Sequence, residues 1–312
     1  MQAKFIIGID LGGTNLKIAL LDLKYRIRYK EILSVKAFLK KESLISAIIN
    51  SINKVRENNK LKRANILGLG LGLPGPIDNK RGVVHFFPNI PGWKEINLKS
   101  ILEKRLRLPV FMDNDAKLMA LAEYKLGAAK GSNQAVCLTL GTGVGAGIII
   151  NGTLYRGFNN AGGELGHIRI NEKGPRCNCG GHACLEAYIG NNKILREAKK
   201  LFCRNISLEE LTKLARKQNK QAQAIWSKAA RRLGLALVGI VNLLNPDCIV
   251  IGGGVAQAGK ILFDMVKQTI SKEAMGIQAR HVKIFKAKLG NDAGLIGAAI
   301  MVRENAKLAY SG

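Results

Sequence analysis

Residues 8–22 read GIDLGGTNLKIALLD, and residues 137–151 read CLTLGTGVGAGIIIN. Each is a β-type run, a glycine-bearing turn and a second β-type run, the pattern of a hairpin. Laid side by side, Leu11 falls on Leu140 and Gly12 on Gly141. One strand, turn, strand unit is therefore present twice, about half the chain apart. A duplicated hairpin followed each time by alternating strands and helices predicts an α/β protein of two similar lobes.

The segments around the hairpins fill in this plan. After the first come a helix from Glu42 to about Asn58, a buried strand ILGLGLG (66–72), a turn-rich stretch LPGPIDNKRG and an amphipathic stretch around LKSILEKRL. PVFMDNDA reads as a strand ending in an acidic turn, and AKLMALAEYKLG as a helix stopped at Gly127. The second half predicts helices over about 185–201 and 221–244, a strand CIVIGGG, a helix over about 259–272, a strand VKIFKA and a terminal helix after Asp292. The expected domains are residues 1–113, an N-terminal α/β lobe, and residues 114–294, a C-terminal α/β lobe with a metal-binding loop. The last helix, about 295–312, packs back on the first lobe in this scheme, and ligand lies in the cleft between lobes.

At 312 residues the chain exceeds the size at which one core stops growing. With 47% hydrophobic and 23% charged residues it has the usage of a folded protein, which excludes disorder as its class. The start, MQAKFIIGIDLGG, offers too short an apolar run for a secretory signal, so a cytoplasmic location is expected and the sequons at Asn151 and Asn205 carry no meaning. The uncharged stretch 135–155 has the length of a membrane span, but Gly141, Gly143, Gly145, Gly147 and Gly152 make it two strands about a turn. No membrane partner is expected. The net charge of +27 invites a nucleic-acid reading. The basic residues are scattered, however, and aromatics are only 5%, so no specific nucleic-acid partner is expected; the field still favours anionic ligands such as nucleotides.

Gly12 and Gly13 let a backbone approach a ligand closely, and free N–H groups in such a turn make an anion-binding concavity. Thr14 adds a hydroxyl, and Asp10 suits a phosphate carried with Mg²⁺. A plain hairpin turn is the competing reading. The second loop, GTGVGAG, and a third glycine group, IGGGV (251–255), which ends a strand before a helix, favour a polyphosphate ligand. GVAQAGKI (254–261) imitates a P-loop, but Ile261 stands where Ser or Thr must meet Mg²⁺, leaving Lys260 a solvated helix residue. In MDNDA, Asp115 is either a helix cap or a general base for a substrate hydroxyl. In CNCGGHACLE (177–186), three cysteines lie close together in a chain with six in all, which favours metal over a redox pair. With His167 the set His167, Cys177, Cys179 and Cys184 suits a closed tetrahedral, structural Zn²⁺ site, His182 being the competing nitrogen.

DLGGTN, GLPGPID, FPNIPGW, NDA, LGTGVGAG, GGELGH, CNCGGHACLE and IGGGV stand in one order along nearly the whole chain. In that order and content the sequence resembles the ROK family of sugar kinases and sugar-responsive repressors, within the actin-like ATPase (ribonuclease H-like) superfamily. The resemblance implies ATP-dependent phosphorylation of a hexose at its 6-hydroxyl, glucose first, with Asp115 as base. It implies sugar contacts from Asn89, Asn114, Asp115, Glu164, His167 and Glu186. Nucleotide contacts would come from Asp10, Gly12, Gly13, Thr14, Asn15, Thr142, Gly143, Gly145, Gly253 and Gly254, with Mg²⁺ carried alongside ATP. The family zinc maps to His167, Cys177, Cys179 and Cys184, and a homodimer is expected. FPNIPGW with CLEAY is similar to the glucokinase branch, whereas N-acetylmannosamine kinases keep most of the same acceptors. Lys117 departs from the small or amide residue of many relatives and is either a solvated face or an influence on the transferred phosphate. With the first strand read as starting near Lys4, a regulator carrying its own helix-turn-helix is not expected.

Overall fold

A computed structural model describes residues 4–38, 40–87 and 93–310, with side chains through residue 306. Contacts divide the chain into two compact units. The first comprises Met1–Ala122, Arg156–Gly162 and Asn291–Gly312, and the second Glu123–Tyr155 and Gly163–Gly290. The expected boundary at 113/114 falls inside the first unit.

The first unit contains β1 (Phe5–Leu11), β2 (Asn15–Asp22), β3 (Ile27–Ser34), α1 (Lys41–Asn58), β4 (Ile66–Leu73), β5 (Ile77–Asp78), β6 (Val83–Phe86), β7 (Lys94–Asn97), α2 (Leu98–Leu106), β8 (Val110–Asn114) and the start of α3 (Asp115–Leu126). Its main sheet has the order β3-β2-β1-β4-β8, antiparallel through the meander and parallel from β1 to β8. Ile7, Ile9, Leu69, Leu71, Val110 and Met112 bury one face against Leu44, Ile48 and Ile52 of α1 and Leu98 and Leu102 of α2. The C-terminal helix (Ala293–Tyr310) covers the other face, and burial on both sides is why β4 reads as an unbroken apolar run.

The second unit repeats the plan with β9 (Ala135–Leu140), β10 (Val144–Ile150), β11 (Thr153–Tyr155), α4 (Glu186–Ile189), α5 (Asn191–Phe202), α6 (Leu208–Arg216), α7 (Lys220–Leu244), β12 (Cys248–Gly252), α8 (Lys260–Glu273), α9 (Gly276–His281) and β13 (Lys283–Lys286). Its sheet order, β11-β10-β9-β12-β13, corresponds strand for strand to the first. Trp226, Leu233 and Leu237 of α7 and Leu262 and Val266 of α8 pack on Val136, Leu138, Ile249 and Ile251. The terminal helix, α10 (Ala293–Tyr310), belongs to the first unit, where Leu295, Ala299 and Val302 cover Ile6, Ala19 and Leu21. It lies so close to β4 that a Cβ on Gly70 would stand 2.3 Å from the Ala298 carbonyl oxygen.

Several elements depart from expectation. The helix expected over 185–201 is broken: Gly190 has ψ 147°, and the Asn191 amide donates to the Gly141 carbonyl at 2.8 Å. Tertiary contact to the β9–β10 turn outweighs the helical pattern there. Strand β3 and helices α6 and α9 were not anticipated; α6 had a usable signal in Ser207, whose hydroxyl accepts the Glu210 amide. Lys117 is not a solvated face but 3% exposed. Among the described residues, no helix is long and apolar enough to cross a membrane.

Candidate active site

In the first unit the sheet register aligns the acidic candidates. Asp10 on β1 pairs with Gly72 on β4, Gly72 pairs with Asp113 on β8, and Asn114 and Asp115 follow at once. Two strand spacings therefore separate the main chains at Asp10 and Asp113 by about 10 Å along the carboxyl edge of the sheet. The hairpin turn at Gly12 is closed by its amide donating to the Asn15 carbonyl at 2.9 Å, while Gly13, Thr14 and Asn15 are exposed. Lys17 stands opposite Asp10 across the hairpin, and its Nζ donates to Asp10 Oδ2 at 2.9 Å and to the Asn291 carbonyl at 2.8 Å. That ion pair was not foreseen, although counting the hairpin's partners places the two residues opposite each other.

At the β8–α3 junction the capping and catalytic readings of MDNDA are compatible. Asn114 Oδ1 accepts the amides of Ala116 and Lys117 at 3.0 and 3.2 Å, and Asp115 Oδ1 accepts that of Ala116 at 2.8 Å. Asn114 is the cap, its Oδ1 taking the helix amides. The Asp115 carboxylate lies at the positive end of a helix, where negative charge is stabilised. Behind it, buried Asp113 accepts Arg156 Nε at 2.7 Å, and the Lys117 ammonium donates to the Asn160 carbonyl. These contacts attach residues 156–162 to the first unit. No local pattern announces them.

In the second unit Thr139 pairs with Gly145 on one side and Gly252 on the other, so the 141–143 turn and the Gly253–Gly254 segment share one edge. Gly253 has φ +86°, and a Cβ there would lie 2.3 Å from the Leu140 carbonyl oxygen, a position only glycine fills without strain. Glu186 reaches the same turn, its Oε2 accepting the Val144 amide at 2.9 Å. Lys260, in the P-loop imitation, is exposed and pairs with Asp264 one turn on. Asn89 lies outside the described residues.

His167, Cys177, Cys179 and Cys184 bring one ligand atom each to within 4.8 Å of one another. Tetrahedral zinc with ordinary bond lengths needs about 3.8 Å between sulfurs and about 3.6 Å between sulfur and nitrogen. Cys179 Sγ and Cys184 Sγ are 3.8 Å apart, and Cys177 Sγ lies 3.6 Å from His167 Nδ1. The donor set thus fits a closed four-ligand site. His182 is not in the group. Burial raises the Cys177 thiol above its ordinary range and pushes that of Cys184 up to about 12, whereas the Gly181 amide lowers that of Cys179. His167 Nε2 faces away from Cys177, toward Glu164 Oε2 at 4.0 Å.

The ROK family model matches residues 6–305. This chain belongs to the ROK family. It is 33% identical to a glucokinase of Thermotoga maritima over 96% of this chain and 97% of that protein. A ROK family glucokinase of Streptomyces griseus, solved in complex with glucose and AMPPNP, superposes with a TM-score of 0.83 at 31% identity, covering 96% and 99% of the two chains. A xylose repressor of Caldicellulosiruptor bescii is 30% identical over 95% of this chain and 77% of its own length. The fold is that of ROK sugar kinases in the actin-like ATPase class, and the duplicated β-sheet order is its signature in this chain.

Proposed function

We propose that this ROK protein transfers the γ-phosphoryl group of ATP to the 6-hydroxyl of a hexose, glucose first. Near full-length kinship to glucokinases carries the reading, and the placement of Asp115 at a strand end and helix start agrees with it. Asp115 accepts the proton of the sugar hydroxyl as its oxygen bonds to the γ-phosphorus and the bond to ADP breaks. Asn89, Asn114, Glu164, His167 and Glu186 orient the sugar hydroxyls. Asp10, Gly12, Gly13, Thr14 and Asn15, with Thr142, Gly143, Gly145, Gly253 and Gly254, hold the nucleotide. Asp10 would hold Mg²⁺, which neutralises phosphate charge when bound with ATP.

His167, Cys177, Cys179 and Cys184 would hold Zn²⁺; four protein ligands leave no open position, so its part is to fix the loop. His167 then has Nε2 to offer a sugar hydroxyl, as the face toward Glu164 suggests. A cytoplasmic homodimer completes the reading. The test is ADP release from Mg·ATP with glucose, mannose, N-acetylmannosamine, N-acetylglucosamine and fructose in turn, ranked by kcat/KM. Silence with all five overturns the kinase reading. A preference for N-acetylmannosamine replaces glucose with that sugar. The kinship to a xylose repressor favours a second reading, a sugar-responsive regulator, whose signature is sugar binding without turnover.

A further inference from the structure

Glu186 opens α4 two residues after the metal ligand Cys184, and its two carboxylate oxygens face different parts of the second unit. Oε2 accepts the Val144 amide at 2.9 Å and Oε1 lies 3.9 Å from Cys177 Sγ. A Cβ on Gly143 would stand 2.4 Å from Oε2, and the three nearest atoms to it all belong to Glu186. The break after α4 contacts the same turn: a Cβ on Gly190 would be 2.8 Å from the Thr142 carbonyl oxygen, and the Asn191 amide donates to Gly141. The β9–β10 glycine turn is therefore braced from outside by the segment that leaves the Cys/His cluster. Within the turn, the Gly141 amide donates to the Gly143 carbonyl.

We propose that Glu186 is a positioning residue for the second glycine turn, so that nucleotide affinity depends on the metal-bearing segment through its carboxylate. The proposal rests on the nucleotide reading of that turn given above. A hydrogen bond from an amide to a charged oxygen is among the stronger ones a turn can make. Without it, residues 142–144 must be ordered by the nucleotide itself, and the affinity falls by the population already in the competent form. Glutamine keeps an oxygen for the Val144 amide; alanine does not. Gly143→Ala reaches the same end differently, because its methyl group displaces the carboxylate.

The test is calorimetric binding of Mg²⁺-AMPPNP to the whole protein without sugar, with amide hydrogen exchange read at Val144. Glu186→Ala is expected to bind about tenfold more weakly and to exchange faster at Val144, Glu186→Gln to stay within about threefold of the unaltered protein. Gly143→Ala should weaken binding alone and cost less in the Glu186→Ala background, the mark of a shared contact. Unchanged affinity in Glu186→Ala, or an equal cost of Gly143→Ala in both backgrounds, overturns the proposal. Should Glu186→Ala not fold, Gly143→Ala with slow Val144 exchange and full affinity does the same. An unaltered protein that binds no nucleotide refutes the functional reading instead, so the two failures are distinguishable.

Discussion

Metal binding at the Cys/His cluster should release two to three protons at neutral pH, because thiols bind zinc only as thiolates. Burial raises the Cys177 thiol and pushes that of Cys184 up to about 12, so both are protonated at neutral pH in the metal-free protein, while the Gly181 amide lowers that of Cys179. With at least two protons displaced, apparent affinity rises about 100-fold per pH unit. At fixed free Zn²⁺ above Kd, the native state gains about 2.7 kcal/mol of stability per pH unit, several degrees in Tm. The metal-free protein has the opposite sign. Its raised Cys184 contributes stability that is present below the ordinary thiol value of 9.0 and is lost as pH climbs toward about 12. Calorimetry in buffers of different ionisation enthalpy counts the protons, and melting at pH 6.5 and 7.5 with and without Zn²⁺ reads the metal-dependent gain, the metal-free Cys184 contribution being constant in that window. Release of fewer than one proton, or a metal-dependent Tm gain equal at the two pH values, would refute the reasoning.

Asp115→Asn should keep sugar affinity and lose turnover by a factor of about 10² to 10⁴; turnover within tenfold of the unaltered enzyme removes Asp115 as base. Lys117→Met deletes an ammonium held at the Asn160 carbonyl and should lower stability by about 1–3 kcal/mol in urea unfolding, with an unchanged midpoint as the contrary result. Gly297→Ala would place a methyl carbon 1.9 Å from the Leu118 carbonyl oxygen, so α10 must shift away from α3. A loss of about 1–3 kcal/mol is expected, and wild-type melting would show that the helices separate freely. Chelation should abolish sugar binding while the far-ultraviolet circular dichroism persists; simultaneous loss of both would make the metal a requirement of the whole fold.

Much of the candidate site was legible because its signals are local. The two glycine hairpins announce themselves in short windows, and their equivalence predicted equivalent sheets. Asn114 at the end of β8 is a cap by residue type and position. The cysteine spacing brings Cys177, Cys179 and Cys184 together with few intervening residues, and His167 needed only a reach of ten residues. The break at Gly190 was not legible, since its cause is the β9–β10 turn rather than its neighbours in sequence. Lys117 reads in sequence as a solvated helix position, yet it is buried and its ammonium donates to the Asn160 carbonyl in the 156–162 segment.

The sequence by itself determined the duplicated α/β plan, the residue types gathered at strand ends and the donor chemistry of the Cys/His cluster, all properties of short windows governed by dihedral preference, periodicity and donor type. Tertiary structure alone decided which side chains are shared between those windows. Arg156 meets Asp113 across 43 residues, and Glu186 meets Val144 across 42. Such contacts depend on where two sheets' worth of packing delivers the chain. A carboxylate's partner is set by that delivery, whereas its ability to take a proton or a hydrogen bond is written in the residue itself.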